Sequence, residues 1–226
     1  MPATVDQIIR SKRRTIAIIV HRDGKVVVRA PLKTPERLIH AFIESKSGWI
    51  NEKKAQAAQQ VALPVKKFTG GETFLLLGRE IPLRVVDGQK TALTFRDEFS
   101  LSKKALPGAQ AVFTKWYQAR AREILTGRVQ FFSKKFGLRY EKIRISSART
   151  RWGSCSSRGT LSFTWRLVMA PLEVVDYVVL HELAHLKVKN HSPVFWAEVA
   201  RMLPDFKRQR AWLKKNGRFL TLDGEE

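Results

Sequence analysis

Two histidines and a glutamate stand at a spacing that suits metal chemistry. His181, Glu182 and His185 form an H-E-x-x-H motif, and residues four apart lie on one face of a helix. Both imidazoles can therefore bind one Zn²⁺ ion, while Glu182 can take a proton from a water on that ion. Two unrelated surface histidines are the ordinary alternative. However, the mostly apolar run 174–180 predicts a buried helix, where unpaired polar groups are costly. The motif thus predicts a zinc hydrolase, and we favour a peptidase.

Two residues compete for the place of third zinc ligand. The helix is expected to end near residue 188 or 189, with Asn190 in the left-handed conformation. Ser192 and Pro193 are typical of the start of a second helix, over residues 193–202. His191 would then lie in a tight turn from which its ring can fold back to the metal. Glu198, on the second helix, is the alternative, and we favour His191.

The chain carries a large excess of positive charge. Its 42 Lys and Arg outnumber 20 Asp and Glu, which leaves a net charge of +22. Such an excess favours polyanions such as nucleic acid, although scattered solvated cations would give the same total. The single cysteine, Cys155, and a polar, basic N-terminus without a signal sequence predict a cytoplasmic protein. No apolar run approaches the roughly 18 residues of a membrane span.

The elements that must position the motif fall into two predicted parts. Residues 1–106 are typical of a β-rich part with one helix, over residues 35–60. Turn residues between apolar runs predict three hairpins there: 16–20 with 26–29, 74–77 with 81–86, and 91–95 with 99–102. Residues 107–226 are predicted to form an α+β catalytic part, so the whole chain is expected to be α+β.

The catalytic part begins with a predicted long helix over residues 109–136, which Gly137 ends. Two strands follow, over residues 142–147 and 160–169, and the second alternates apolar and polar side chains. The helix that carries His181 is expected to start at Pro171. Residues 193–202 and 204–215 are predicted to form two short helices.

Several segments together resemble one family of zinc peptidases. They are Arg151-Trp152-Gly153-Ser154-Cys155, Trp165-Arg166-Leu167-Val168-Met169-Ala170-Pro171, the H-E-L-A-H motif, Asn190-His191-Ser192 and Phe195-Trp196. This combination resembles the YgjP-like metallopeptidase-domain family, which is related to the SprT-like and WLM zinc peptidases. The resemblance implies a zincin-like fold and a protein or peptide substrate. It also implies zinc on His181, His185 and His191, with Glu182 as the base, and an exposed edge of strand 160–169 that binds an extended peptide.

Four arginines near the motif are either solvated or bind an anionic part of the substrate: Arg149, Arg151, Arg158 and Arg166. Arg151 and Arg166 are candidate substrate ligands, together with Tyr177, which lies one turn before His181 and could otherwise be buried against the sheet. These arginines keep open a second function, that of a zinc-dependent nucleotide pyrophosphatase. The net charge keeps open a third, that of a non-catalytic nucleic-acid-binding protein with a structural zinc. The intact Glu182 argues against the third, since a structural site needs no base.

Overall fold

The computed structural model describes residues 4–21, 23–58 and 65–222. Helices and strands are mixed along the chain, so the predicted α+β class is confirmed. The chain forms two compact units, Met1–Leu63 and Pro64–Glu226, whereas the sequence predicts a boundary at residues 106 and 107. The reason for the difference is that apolar residues between 74 and 101 share one core with the helices that follow them. Among the described residues, no helix has the length and apolar character needed to cross a membrane.

The first unit contains a three-stranded sheet. Strands β1 (Gln7–Ser11), β2 (Ala17–Val20) and β3 (Val26–Pro31) lie in the order β1-β3-β2. The predicted hairpin of β2 and β3 is confirmed by their antiparallel pairing. Strand β1, which runs parallel to β3, is not predicted because its short, half-polar sequence lacks a clear alternation.

Two helices complete the first unit, α1 (Glu36–Ser45) and α2 (Ser47–Ala58). The prediction of one continuous helix over residues 35–60 is wrong at Lys46, which separates α1 from α2. Residues 59 and 60 lie outside the described part. Ser47 and Gly48 follow the break, and both have weak helix propensity. The two helices and β3 share a small core: Val26, Val28, Ala30, Ile39, Ile43 and Ile50.

The second unit begins with a four-stranded sheet that contains both remaining predicted hairpins. Its strands are β4 (Thr73–Leu76), β5 (Arg79–Val86), β6 (Leu93–Phe95) and β7 (Phe99–Ser102), in the order β4-β5-β7-β6. Antiparallel pairing of β4 with β5 and of β6 with β7 confirms the hairpins. A 3-10 helix, Lys103–Gly108, leads to the next element.

Helix α3 (Ala109–Phe136) is the predicted long helix, and Gly137 ends it with a φ of 64°. A buried stripe runs along it at helical spacing: Phe113, Tyr117, Ala121, Leu125, Val129 and Phe132. The Tyr117 hydroxyl donates to the Leu75 carbonyl of β4 at 2.7 Å. Helix α3 thereby joins the four-stranded sheet to the part of the unit that carries the H-E-x-x-H motif.

A second three-stranded sheet lies next in the chain. Its strands are β8 (Lys142–Ser146), β9 (Gly153–Cys155) and β10 (Thr160–Thr164), in the order β8-β10-β9. Strand β10 is central, parallel to β8 and antiparallel to β9. The predicted free edge of strand 160–169 is therefore wrong, and β9 forms an edge of this sheet instead.

The predicted strand 160–169 is also too long. Residues Trp165–Met169 form a buried 3-10 helix. The Leu77 and Gly78 amides, at the β4–β5 turn, donate to the carbonyls of Val168 and Met169 at 2.8 and 3.1 Å. These hydrogen bonds satisfy backbone groups that would otherwise pair within a sheet. The chain turns here into the three helices of the site: α4 (Leu172–Ala184), α5 (Pro193–Met202) and α6 (Phe206–Asn216).

Candidate metal centre

The last turn of α4 presents the first part of the motif. Helix α4 ends at Ala184 with His185 as its C-cap, four or five residues before the predicted end. The prediction of a left-handed Asn190 is also wrong. The turn after α4 is closed by hydrogen bonds from Val188 N to the Ala184 carbonyl at 3.0 Å and from Nδ1 of His185 to the Val188 carbonyl at 3.0 Å. Ser192 occupies the N-cap position of α5, as predicted, but its side chain makes no capping hydrogen bond.

This turn brings three imidazoles together. The Nε2 atoms of His181 and His191 are 3.0 Å apart. One nitrogen from each of His181, His185 and His191 lies within 4.8 Å of the other two. Because Nδ1 of His185 is bonded to Val188, its Nε2 is the atom left for a ligand. Nitrogens bound to one tetrahedral zinc lie about 3.4 Å apart, so the cluster is the right size for a single ion.

Glu182 lies beside the histidines and is only 4% exposed. Its side chain packs directly against Gly153 of β9: a Cβ built on Gly153 would lie 2.5 Å from Glu182 Oε1. No larger residue fits at position 153 without displacing the carboxylate. A glycine at the edge of the sheet therefore allows the helix and the strand to approach each other at this point.

Burial sets the protonation of these groups. It lowers the pKa of His181 to about 3, and the neighbouring His185 and His191 act in the same direction. Burial also lowers the pKa of His185. Both imidazoles are thus held neutral, which is the form that binds a metal. Burial raises the pKa of Glu182 to about 8, and Arg151 acts against this rise.

The donor set fits a divalent metal such as zinc. Three imidazole nitrogens at this spacing are a common three-ligand set for catalytic zinc. Two buried atoms of the site, Nδ1 of His181 and Oε2 of Glu182, have no hydrogen-bond partner within the described part of the chain. Buried polar atoms are rarely left unpaired. The position of Oε2 beside the histidine cluster is consistent with a site built for an ion and its water, whereas Nδ1 of His181 points away from the Nε2 that faces His191.

A family model described as "YgjP-like, metallopeptidase domain" matches residues 14–216. The chain belongs to this family. The match covers most of the sequence and both structural units, so the resemblance inferred from the sequence is confirmed. The protein is accordingly a metallopeptidase-domain protein.

Two solved structures are similar to part of this chain, and both are crystal structures of metallopeptidase zymogens. Abylysin of Pyrococcus abyssi is 24% identical, with a TM-score of 0.37, over 40% of this chain and 93% of that one. Jannalysin of Methanocaldococcus jannaschii is 22% identical, with a TM-score of 0.35, over 42% of this chain and 95% of that one. A comparison with curated proteins found no match.

Glu198, the alternative third ligand, is engaged elsewhere. Its Oε1 pairs with Lys187 Nζ at 2.9 Å and with Arg201 Nη2 at 2.8 Å, and its Oε2 accepts from Arg201 Nε at 3.0 Å. These hydrogen bonds lower the pKa of Glu198 to about 2. The structure thus brings His191 to the other two histidines and holds Glu198 in an ion-paired cluster.

The three candidate substrate ligands are placed differently. Arg151 is exposed and close enough to Glu182 to influence its pKa. Arg166 is 7% exposed, and its guanidinium lies over the Trp165 ring and donates a hydrogen bond to the Ser147 carbonyl. Little of the Arg166 side chain is therefore accessible to a substrate. Tyr177 is buried, and its ring lies 6.0 Å from that of His181 and 6.5 Å from that of Phe206 in α6.

Three further residues shape the site, although the sequence assigned none of them a role there. The Phe195 ring lies 4.4 Å from that of His185 and 4.8 to 4.9 Å from those of His191 and His181. Trp196 lies beside His181 and His191, and Arg210 of α6 lies 4.6 Å over its ring. The signal for Phe195 and Trp196 was their place just after His191, whereas nothing local marks Arg210.

Proposed function

We propose that this protein is a zinc-dependent peptidase with a zincin-like catalytic arrangement. The observation that carries the proposal is the cluster of three imidazoles beside a buried glutamate. His181, His185 and His191 would hold the zinc. When bound, zinc lowers the pKa of a coordinated water to about 7 and polarises the substrate carbonyl.

Glu182 is the proposed general base. Its carboxylate accepts a proton from the attacking water and then delivers that proton to the leaving amine. A divalent cation at the histidines would lower the pKa of Glu182, because opposite charge favours the ionised form. The carboxylate lies so close to Gly153 that no side chain fits between them, and this close packing supports a fixed geometry for both proton transfers.

The substrate would bind along β9. As an edge strand, β9 has backbone groups available for an extended peptide, and its first residue, Gly153, touches the proposed base. A peptide paired there would run past the metal centre. Arg151 and Arg210 would attract an anionic part of the substrate, while Tyr177 would support His181.

Nucleotide hydrolysis is the second candidate. Arg151 lowers the pKa of Glu182, and Arg210 lowers the pKa of His181. Two cations therefore lie near the site, as binding of a phosphate anhydride would need. The net charge of +22 further supports a protein that works near nucleic acid. A cytoplasmic location, inferred from the lone cysteine, belongs to the same proposal.

Zinc content and hydrolysis test the proposal together. Protein prepared with zinc should carry about one ion per chain, and alanine at any of the three histidines should lose it. Glu182→Gln should keep zinc and stability but lose at least about 100-fold in hydrolysis of casein or peptides. Metal-free wild-type protein would refute the metal site. Turnover of nucleoside triphosphates that is lost in Glu182→Gln, without any proteolysis, would establish the second candidate instead.

A further inference from the structure

A basic groove of about 540 Å³ lies on the second three-stranded sheet. On β10, Leu161 and Phe163 are fully buried in the core, so Thr160 and Ser162 point to the opposite face. In the register of the sheet, Thr160 pairs with Lys142, and Ser162 pairs with Arg144 on one side and Ser154 on the other. The groove thus crosses all three strands on the face away from the core.

The lining of this groove suits an anion with several oxygens. Lys142, Arg144 and Arg158 supply three cations, the serines and threonine supply hydroxyl donors, and Glu141 is the one acid among the lining residues. Among the described residues, no carboxylate pairs with any of the three cations. Arg, Lys, Ser and Thr are the side chains that commonly contact phosphate and sugar in nucleic-acid complexes.

A second basic cavity, of about 320 Å³, lies on the other side of β8. Lys115, Gln118 and Arg122 of α3 line it together with Ile145, the residue that follows Arg144. Cations therefore lie on both faces of the edge strand β8, and no single small anion could contact both faces. Such a distribution favours a ligand with regularly repeated charges. The grooves lack aromatic side chains on which bases could stack, so contact with the backbone alone is expected.

We propose that the groove on β8, β9 and β10 binds the phosphodiester backbone of nucleic acid. The inference specifies where the nucleic-acid association proposed above is made, and it does not depend on peptidase activity. The same short strand serves both sites: Ser154 lines the groove, and Gly153 contacts Glu182. Bound nucleic acid would hold the metal centre close to proteins on the same strand, which raises their effective concentration.

The test is equilibrium binding to labelled duplex DNA and RNA of random sequence, with zinc-loaded Glu182→Gln protein so that hydrolysis cannot interfere. The groove variant carries Lys142→Glu and Arg144→Glu. The matched control carries Lys103→Glu and Lys104→Glu, which change the same charge at exposed positions outside both cavities. The groove variant should weaken binding by about 10- to 100-fold at low salt and reduce the slope of log K against log salt by about 2. The control should change affinity by less than about 3-fold.

Other outcomes would overturn the proposal. Equal weakening in groove and control variants would mean diffuse attraction, and poly-glutamate binding as tight as DNA would mean an acidic polypeptide ligand. Displacement of DNA by nucleoside triphosphate at an equal phosphate concentration would make free nucleotide the ligand. The neutral pair Lys142→Gln and Arg144→Gln, checked by thermal unfolding, separates lost contacts from misfolding. Absence of any nucleic-acid binding would refute the association as a whole, whereas peptidase activity, assayed with Glu182 intact, would be unaffected.

Discussion

The contact between Gly153 and Glu182 predicts the effect of one methyl group on catalysis. In Gly153→Ala, the new Cβ would lie 2.5 Å from Oε1, 2.6 Å from Cγ and 2.8 Å from Cδ of Glu182. Ordinary contacts begin near 3.4 Å, so the carboxylate must move by about 1 Å. The backbone at residue 153 is outside the left-handed region, and alanine therefore adds no backbone strain.

A displacement of about 1 Å at a reacting group costs about 100-fold in rate, or about 2.7 kcal/mol of transition-state free energy. We expect kcat of Gly153→Ala to fall by that factor, while zinc content stays at the wild-type value. Hydrolysis of a quenched fluorescent peptide measures kcat, zinc analysis measures the metal content, and thermal unfolding checks that the variant is folded. Gly127→Ala is the control: its Cβ would meet nothing within 4 Å in α3. That variant should keep full activity and gain about 0.5–1 kcal/mol of stability.

A double-mutant cycle tests whether the loss acts through Glu182. In a Glu182→Gln background, Gly153→Ala should have no further effect on hydrolysis, because the base is already absent. Wild-type kcat in Gly153→Ala would refute the reasoning. An equal loss in both backgrounds would also refute it, since the change would then act by another route.

Three further substitutions have expected outcomes. Glu198→Gln should lower the free energy of unfolding, measured in urea, by about 1 kcal/mol, because Lys187 and Arg201 lose their partner. The variant should keep its zinc. Loss of zinc would make Glu198 the third ligand. Because the pKa of Glu198 falls from 4.5 to about 2 on folding, this difference should be complete above pH 4.5 and disappear as pH falls toward 2. Asp176→Ala should lower the free energy of unfolding in urea by about 2 kcal/mol, because Asp176 accepts two hydrogen bonds of 2.6 Å from Arg128. Unchanged stability would contradict this expectation. Arg210→Gln should raise KM for acidic peptides by about 3- to 10-fold relative to neutral ones, and equal effects on both would remove Arg210 from substrate binding.

Local patterns in the sequence were sufficient for most elements. The three hairpins, helices α3 and α5, and strand β8 follow from apolar periodicity and turn residues. Such signals act within a few residues and need no knowledge of distant contacts. Where local signals were weak or conflicting, as at Lys46 and in the short strands β1 and β9, the sequence did not predict the observed structure.

The H-E-x-x-H spacing likewise predicted the central residues of the candidate site, His181, Glu182 and His185. Helical geometry alone places His181 next to His185, and the prediction that His191 lies in the following turn rests on the same local reasoning. The end of α4 was placed too late because the turn after it is closed partly by the His185 side chain on Val188. A side chain that bonds to the backbone in this way is not visible in the apolar pattern.

Only the tertiary structure decided what surrounds the motif. The central position of β10, the burial of Arg166, the contact of Gly153 with Glu182 and the approach of Arg210 all join segments distant in sequence. Alternation in residues 160–169 indicated a half-buried strand, but which strand lies at an edge depends on how separate segments pair. Periodicity reports the face that a segment buries; it does not report the partner that covers that face, because the partner is chosen by packing across the whole unit.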